Sequence, residues 1–431
     1  METKHTTSLS IWFMWIIAAS FITYMFMIQN SISIMVPQLM RDFTIDTLGI
    51  GLLSSSYFYT YIIFQVPAGI LIDWYKPRRV MTLSILIFTL GLIIFSIAHT
   101  VWLAALGRGI VGLGASAAVA GTLFVGLRYF PLSQFAFIAG ASEMLGMFGG
   151  ALGQIILAPS VLQLGWRDTL DICAAAGLGL ALVTWLILKD HAPIHALPST
   201  KPSLRCNFSY VLGIPQMWFI GLFASLTFAP LSAFGGLWAV PYLQELYGCN
   251  LSQAAIGSAM MFIGAGLGSP VIGYISDRLS KRRLPMGIAA CSALFFSLVI
   301  LYYPPVELFW MYVLIFLLGV STCAYVIPFA LAKDIVRPEV QGTAMGFTNM
   351  LCIAMGAPLL QPLIGWLLNI QNPSAISTTN VLFTIEDYHV ALAVIPIVFM
   401  LGLICLLFIK ETHCQLANTC EEGEIPIKYW A

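Results

Sequence analysis

Long apolar runs separated by short polar stretches form the dominant pattern along the chain. A helix that crosses a bilayer needs about 20 mostly apolar residues. Twelve runs reach that length, at positions 11–37, 48–72, 79–98, 101–128, 134–159, 168–188, 214–244, 251–276, 284–304, 307–332, 340–368 and 388–409. A transmembrane β-barrel would show short alternating segments instead. The pattern therefore predicts an all-α membrane protein with twelve transmembrane helices.

Composition narrows the class of protein further. Hydrophobic residues make up 59% of the 431 residues and charged residues 9%, whereas soluble domains average about 45–50% and about 25%. This composition excludes an array of soluble domains, and it excludes disorder, which requires low hydrophobicity. The formal net charge is +0, so there is no basic field to attract nucleic acid. The nine cysteines show no metal-binding spacing, and we expect neither a metal ion nor another cofactor.

Basic residues predict how the chain is oriented in the membrane. Loops on the cytoplasmic side are enriched in Lys and Arg. Of the 19 basic residues, all except Arg41, Arg108 and Arg167 fall on one side if there are twelve spans. Both termini are then cytoplasmic, in what we expect to be a bacterial inner membrane.

The longest internal polar stretch lies between the sixth and seventh spans. It divides the chain into a first six-helix bundle at 1–190, a cytoplasmic linker at 191–213, a second six-helix bundle at 214–412 and a cytoplasmic tail at 413–431. The loops on the outer side are short, so we expect a monomer. Its partners would be a small-molecule solute, the lipid bilayer and, in a coupled mechanism, protons.

One motif recurs in both halves, at the end of the second helix of each. The first copy contains Gly69, Asp73, Arg78 and Arg79, and the second contains Gly273, Asp277, Arg278, Arg282 and Arg283. Gly273 lies 204 residues after Gly69, and Asp277 lies 204 residues after Asp73. Generic basic flanks would explain the arginines but not the paired Gly and Asp, so the two copies, hereafter the loop motif, indicate an internal repeat.

The loop motif and the pattern Arg108-x-x-x-Gly112-x-Gly114 resemble signatures of the major facilitator superfamily. The resemblance implies two pseudo-symmetric six-helix halves that rock around a central site, with both loop motifs acting as cytoplasmic gates. It also implies that Asp73 and Asp277 close the cytoplasmic side by docking at helix N-termini of the opposite half.

Two observations refine this resemblance. In the first loop motif Trp74 and Pro77 replace the basic residue and the glycine of the family pattern. The stretch Trp238-Ala-Val-Pro241-Tyr242-Leu243 resembles bacterial metabolite permeases related to lysosomal dipeptide transporters. Proline can loosen a helix, so we expect a bend at Pro241.

Two charges lie deep within predicted spans, Arg108 in the fourth and Glu143 in the fifth. Intramembrane ionisable residues are rare and commonly functional. In that reading Arg108 anchors an anionic group, and Glu143 accepts a proton or binds an amine. In the alternative reading, backbone groups, tyrosines or water neutralise each charge. Their estimated depths differ by roughly 10 Å, so we do not expect them to pair directly.

Uncharged polar residues complete the candidate solute pathway. They are Tyr24 and Asn30 in the first helix, Tyr57 and Tyr61 in the second, and Trp238 and Tyr242 in the seventh. The alternative is that such residues bind helices together or, for Trp and Tyr, anchor the membrane interface.

The sequence thus predicts a secondary transporter of a small polar organic solute: an amino acid, a short peptide or an organic anion. Alternating access would be proton-coupled or uniport. The chain contains no HExxH, Gly-x-Ser-x-Gly or P-loop pattern, so we do not expect an enzyme. Two alternatives remain open: a drug or siderophore exporter of the same fold, and a solute-sensing membrane receptor.

Overall fold

The computed structural model describes residues 9–75, 77–130, 134–188, 209–337, 340–372 and 383–414. These residues include 12 helices long and apolar enough to cross a membrane. The predicted all-α class and the number of spans are therefore confirmed. The chain divides into two compact units, Met1–Ser199 and Thr200–Ala431. Most of the predicted linker 191–213 and of the predicted tail 413–431 lies outside the described residues.

Unit 1 contains six spans, each an apolar segment interrupted by few polar residues. In chain order they are α1 (Leu9–Gln29), α2 (Thr47–Trp74), α3 (Pro77–Ser96), α4 (Val101–Tyr129), α5 (Phe135–Leu164) and α6 (Trp166–Ile187). Asp46 caps α2 by accepting a hydrogen bond from the Gly49 N–H, as acidic and hydroxyl side chains do at helix starts.

Unit 2 contains six further spans. They are α7 (Pro215–Tyr247), α8 (Leu251–Leu279), α9 (Arg283–Tyr302), α10 (Leu308–Asp334), α11 (Gln341–Gln371) and α12 (Ile385–Leu407). Asn250 and Gln253 form a reciprocal capping box at the start of α8, which satisfies two backbone N–H groups that have no helical acceptor.

Spans pack in equivalent pairs within each unit. In unit 1, α1 packs on α5, α2 packs on α4, and α3 packs on both α4 and α6. In unit 2, α7 packs on α11, α8 packs on α10, and α9 packs on both α10 and α12. The second set follows from the first when six is added to each number, so the internal repeat of the sequence extends to the packing inside each unit.

The first span is not one continuous helix to residue 37, as its apolar run predicted. The α-helix ends at Gln29, a 3₁₀ turn covers Ser31–Ile34, and a short helix follows at Val36–Phe43. Polar side chains at the break bond to nearby carbonyls: Asn30 donates to Phe26, and Ser31 donates to Ile28. Such local hydrogen bonds compete with the regular helix.

The seventh span is irregular on the N-terminal side of the expected bend at Pro241. A π-helix covers Leu231–Trp238, and α-helix resumes at Ala239–Tyr247. Proline has no N–H to donate to the carbonyl four residues earlier and its ring clashes with it, which here is the carbonyl of Leu237. The span accommodates the proline by widening the preceding turns, as π-segments do.

Candidate functional site

Several buried polar groups of unit 1 lie at the C-terminal end of α1, where the helix breaks before the 3₁₀ turn. The Arg108 side chain is fully buried, and its Nη2 donates to the carbonyl oxygens of Gln29, at 3.5 Å, and Ser54, at 3.3 Å. Gln29 is the last residue of α1, and carbonyls at helix ends have no partner within the helix. Arg108 therefore joins α4 to the break in α1 and to α2.

Two glycines place Arg108 at this position. A Cβ at Gly112 would overlap the carbonyl of Tyr57 in α2, and a Cβ at Gly114 would overlap the backbone of Phe88 in α3. Glycine permits this close backbone approach. Because Gly112 follows Arg108 by about one helical turn, the guanidinium is held at the contact with α2.

Two tyrosines connect Arg108 to the second deep charge. The guanidinium carbon of Arg108 lies 5.2 Å from the ring centroid of Tyr57. The Tyr57 ring stacks on Tyr61, with centroids 5.8 Å apart and planes 13° apart. Glu143 of α5, whose side chain is partly buried, lies within electrostatic range of Tyr61. The structure thus brings together four predicted site residues, Arg108, Tyr57, Tyr61 and Glu143, hereafter the charged cluster.

The charged cluster includes hydrogen-bond donors without acceptors. The Nε of Arg108 and the hydroxyl of Tyr57 are buried and have no hydrogen-bond partner. Among the described residues, no carboxylate forms an ion pair with Arg108. A buried cation that contacts carbonyl dipoles and a ring face retains its attraction for an anion, because dipoles do not cancel its net charge. The cluster is chemically suited to an anion at Arg108 and a proton at Glu143.

Asn30 follows Gln29 directly, and its side-chain amide donates a hydrogen bond to the carbonyl of Phe26 in α1. Its backbone carbonyl accepts a 2.8 Å hydrogen bond from the Nε2 of Gln154 in α5, and Gln154 also bonds to Ser33. Gln154 was not among the predicted site residues. A glutamine in the middle of an apolar run was the available signal, since buried amides in a membrane require partners.

Tyr24 lies apart from the charged cluster. Its hydroxyl donates a 2.7 Å hydrogen bond to the carbonyl of Cys173 in α6, and its ring packs on Phe88 of α3. These contacts hold helices of unit 1 together. The assignment of Tyr24 and Asn30 to a solute pathway stays a prediction.

In unit 2 the two predicted aromatic residues are fully buried. The indole N–H of Trp238 donates to the carbonyl of Gln361 in α11, at 3.2 Å, and the hydroxyl of Tyr242 donates to the carbonyl of Ile300 in α9, at 2.9 Å. Gln361 in turn donates from Nε2 to the Ser232 carbonyl at 2.8 Å, within the π-helix. The sequence analysis did not single out Gln361. Whether Trp238 and Tyr242 line a solute pathway stays a prediction.

The second loop motif forms a dense ionic network inside unit 2. Arg282 bonds to Asp277 at 2.6 Å and to Asp334, the last residue of α10, at 3.2 Å. The Thr412 hydroxyl donates to Asp334 at 3.0 Å. Glu411 accepts hydrogen bonds of 2.8 Å from the N–H groups of Arg282 and Arg283. The network therefore joins the start of α9 to the ends of α8, α10 and α12.

Glu411 was missed by the sequence analysis, although it acts as the cap of α9. Burial alone would raise the pKa of its carboxyl, but hydrogen bonds from the N–H groups of Arg282, Arg283 and His413 lower that pKa below its ordinary value. A carboxylate at a helix N-terminus is also favoured by the helix dipole. The signal was an acidic residue directly after the last span.

The first loop motif has different contacts. The guanidinium carbon of Arg78 lies 4.0 Å from the ring centroid of Trp185 in α6, and its Nε is buried with no hydrogen-bond partner in the part of the chain that the structure describes. Arg79 and, in the second copy, Arg278 are exposed. Asp73 lies in the last turn of α2, and its side chain is outside the described part of the structure. A Cβ at Gly69 or Gly273 would have no described atom of the same unit within 4 Å.

The fold is that of a polytopic all-α membrane protein with twelve candidate spans among the described residues. The family model of the Major Facilitator Superfamily matches residues 15–360 and 226–415. The chain belongs to this superfamily, whose members are transporters and not enzymes.

Several proteins are similar to this chain over most of its length. The probable sulfoacetate transporter SauU of Cupriavidus necator is 23% identical over 286 residues, which cover 62% of this chain and 65% of that protein. The probable hexose phosphate transport protein of Chlamydia pneumoniae is 23% identical over 381 residues, which cover 78% and 81%. A solved bacterial homolog to the human lysosomal transporter Spinster, inward-facing and unoccupied, has a TM-score of 0.78 at 16% identity and covers 96% of this chain and 100% of that chain; this likeness shows the fold alone.

Proposed function

We propose that this transporter moves a small organic anion by alternating access and that Arg108 supplies the positive charge for its recognition. The observation that carries the proposal is the fully buried guanidinium, with carbonyl acceptors, an unpartnered Nε and no ion-paired carboxylate among the described residues. Removing a charge from water is costly unless a counter-charge compensates it. An anionic solute would provide that compensation only while it is bound.

The similar proteins support an anion over the other solutes that the sequence left open. Sulfoacetate and hexose phosphate, named for two of them, both carry a strongly acidic group. We therefore place an anion with a sulfonate, phosphate or carboxylate ahead of an amino acid or short peptide, the solutes suggested by the resemblance to lysosomal dipeptide transporters. Arginine suits this role because its planar fork matches such groups in a bidentate manner.

Glu143 is the proposed site of proton coupling. It is linked to Arg108 through Tyr61 and Tyr57. Protonation of Glu143 would leave the positive charge of Arg108 more strongly felt by an incoming anion, since an opposite charge no longer offsets it. In this scheme the transporter is a proton symporter, a monomer in a bacterial inner membrane with both termini cytoplasmic.

The test is counterflow in liposomes that contain the purified protein. Labelled sulfoacetate, a hexose phosphate, a dicarboxylate and an uncharged dipeptide analogue are compared. We expect exchange of at least one anion and none of the analogue. Arg108→Lys should reduce the kcat/KM of that anion roughly 10- to 100-fold, the value of one or two charge-assisted hydrogen bonds.

The control is Arg41→Lys, because Arg41 is 70% exposed at the side chain and lies outside the cluster. It should transport like the wild type. Wild-type anion transport by Arg108→Lys would contradict the proposal. Ligand-induced thermal stabilisation without counterflow would favour the solute-sensing receptor, and exchange of hydrophobic cations instead of anions would favour a drug exporter.

A further inference from the structure

A groove of about 440 Å³ runs between α3 and α6 of unit 1, open to the exterior. Its walls are leucines that are exposed in the folded chain: Leu83 at 59%, Leu86 at 42%, Leu178 at 50% and Leu182 at 59%. Exposed leucines on a membrane span face hydrocarbon rather than water. The walls therefore fit an acyl chain.

One end of the groove is polar, unlike its walls. Arg79, at the start of α3, and Thr82 both line it, together with the ring of Trp185. Thr82 is only 9% exposed, and its hydroxyl is buried without a hydrogen-bond partner. The Nε of Arg78, which lies over the Trp185 ring, also lacks a partner. Arg79 and Thr82 thus line the start of the groove, and the Arg78 guanidinium lies next to it over the Trp185 ring.

The polar end lies at a depth that suits a lipid headgroup. From Arg79 to Leu86 the groove extends seven residues along α3, about 10 Å at 1.5 Å per residue. Trp185 lies in the last turn of α6, and tryptophan favours the boundary between headgroups and hydrocarbon. The positive-inside pattern assigns this end to the cytoplasmic leaflet.

We propose that this groove is a binding site for an anionic phospholipid of the cytoplasmic leaflet. Arg79 and the hydroxyl of Thr82 bind the phosphodiester, Arg78 adds positive charge from its position over Trp185, and one acyl chain lies along the leucine walls. Basic pockets between transmembrane helices bind anionic headgroups in this manner. A free anion would use the polar end but would leave the apolar walls without a ligand.

The equivalent place in unit 2 has a different lining on α9. Gly287 and Ala290 stand 204 residues after Leu83 and Leu86, so these two leucines are not repeated there. Met286 stands 204 residues after Thr82, so the hydroxyl is not repeated either. We therefore expect the lipid in unit 1.

The experiment is native mass spectrometry of the purified protein with dioleoylphosphatidylglycerol and, separately, dioleoylphosphatidylcholine. These lipids have the same acyl chains and differ in headgroup charge. We expect one phosphatidylglycerol to be retained in preference to phosphatidylcholine. Arg79→Gln and Thr82→Val should each lower the retained fraction about fivefold or more, and Leu86→Trp should lower it by filling the groove.

Arg79→Gln and Leu86→Trp each have a control variant with the same substitution at a residue outside the groove. Arg41→Gln removes a positive charge elsewhere, and Leu90→Trp adds the same bulk to α3 at a residue 52% exposed and outside the groove. Both should retain the lipid as the wild type does, and melting curves confirm that every variant is folded. Equal retention of the two lipids, equal losses in the controls, or displacement of the lipid by millimolar inorganic phosphate would overturn the proposal.

Discussion

The interiors of the two units differ in the polar groups that they bury. In unit 1 the deep polar residues include a cation and a carboxylate, Arg108 and Glu143, and two stacked tyrosines lie beside Arg108. In unit 2 the deep residues Trp238, Tyr242 and Gln361 are neutral, and they donate to backbone carbonyls of unit 2 itself. These neutral donors join helices, although the Oε1 of Gln361 is itself buried without a partner among the described residues, whereas a buried charge creates a demand for a counter-charge.

At the loop motifs it is unit 2 that contains the ion pairs. Arg282 of unit 2 is bonded to two carboxylates, while its equivalent Arg78 lies over the face of Trp185. The neighbouring helices differ as well: α10 ends in Asp334, whereas Phe130, 204 residues earlier, follows the last residue of α4. Within the described part of the chain, which leaves out the Asp73 side chain, the repeated arginine contacts carboxylates in one copy and an aromatic ring in the other. Equivalent sequence positions in the two halves need not perform equivalent tasks.

The sharpest test of this comparison is removal of the deep carboxylate. Glu143→Gln should abolish concentrative uptake, because the amide cannot carry the coupling proton, and should leave counterflow of the solute intact. Uptake driven by a pH gradient and exchange without a gradient are measured on the same liposomes.

Glu245→Gln makes the same change at an exposed residue of unit 2 and should keep both activities. If Glu143→Gln loses exchange as well as uptake while the ligand still causes a thermal shift, the proposal that Glu143 carries the coupling proton is contradicted.

The two loop motifs should differ in their contributions to stability. Arg282→Gln leaves Asp334, whose side chain is 7% exposed, without its cation, and breaking a buried pair in this way costs about 3–5 kcal/mol. Arg78→Gln loses a cation–π contact of about 0.5–2 kcal/mol. Thermal melts of both variants in detergent measure the difference. Equal destabilisation would mean that the two copies are energetically alike.

A smaller effect is expected from Trp238→Phe. The change removes the indole N–H that donates to the Gln361 carbonyl, which should cost about 0.5–1.5 kcal/mol, the net contribution of one hydrogen bond. If unit 2 has a scaffolding interior, the apparent transport KM stays unchanged while the melting temperature falls. A raised KM at unchanged stability would instead support the predicted aromatic wall of the solute pathway.

The smallest effect is a dependence of stability on acid pH. The pKa of Glu411 is lowered in the folded state, so its hydrogen bonds to α9 contribute fully above the ordinary carboxyl value of about 4.3 and are lost as the pH falls through the lowered pKa. Melting temperatures of wild type and Glu411→Gln should therefore converge in acid. A constant gap between them from neutral to acid pH would show that this carboxylate does not titrate with folding.

The sequence alone determined the features that depend on local composition. Continuous apolar runs define the number of spans, because a bilayer demands helices of fixed length with no exposed polar backbone. The repeated Gly, Asp and Arg at a spacing of 204 residues identified the two halves, and the family followed from these residues. The deep positions of Arg108 and Glu143 were also evident from the sequence, because charged residues are rare within apolar transmembrane segments.

Tertiary structure decided which partner each polar side chain has. Tyr24, Asn30 and Trp238 look alike as polar residues in apolar helices, yet their partners lie on α6, α5 and α11 respectively, more than 100 residues away in the chain. The roles of Gln154, Gln361 and Glu411 were assigned from such contacts. Helical periodicity states which face a residue occupies, but the neighbour of that face is set by how six helices pack, and it is this packing that turned one charge toward a carboxylate and another toward a ring.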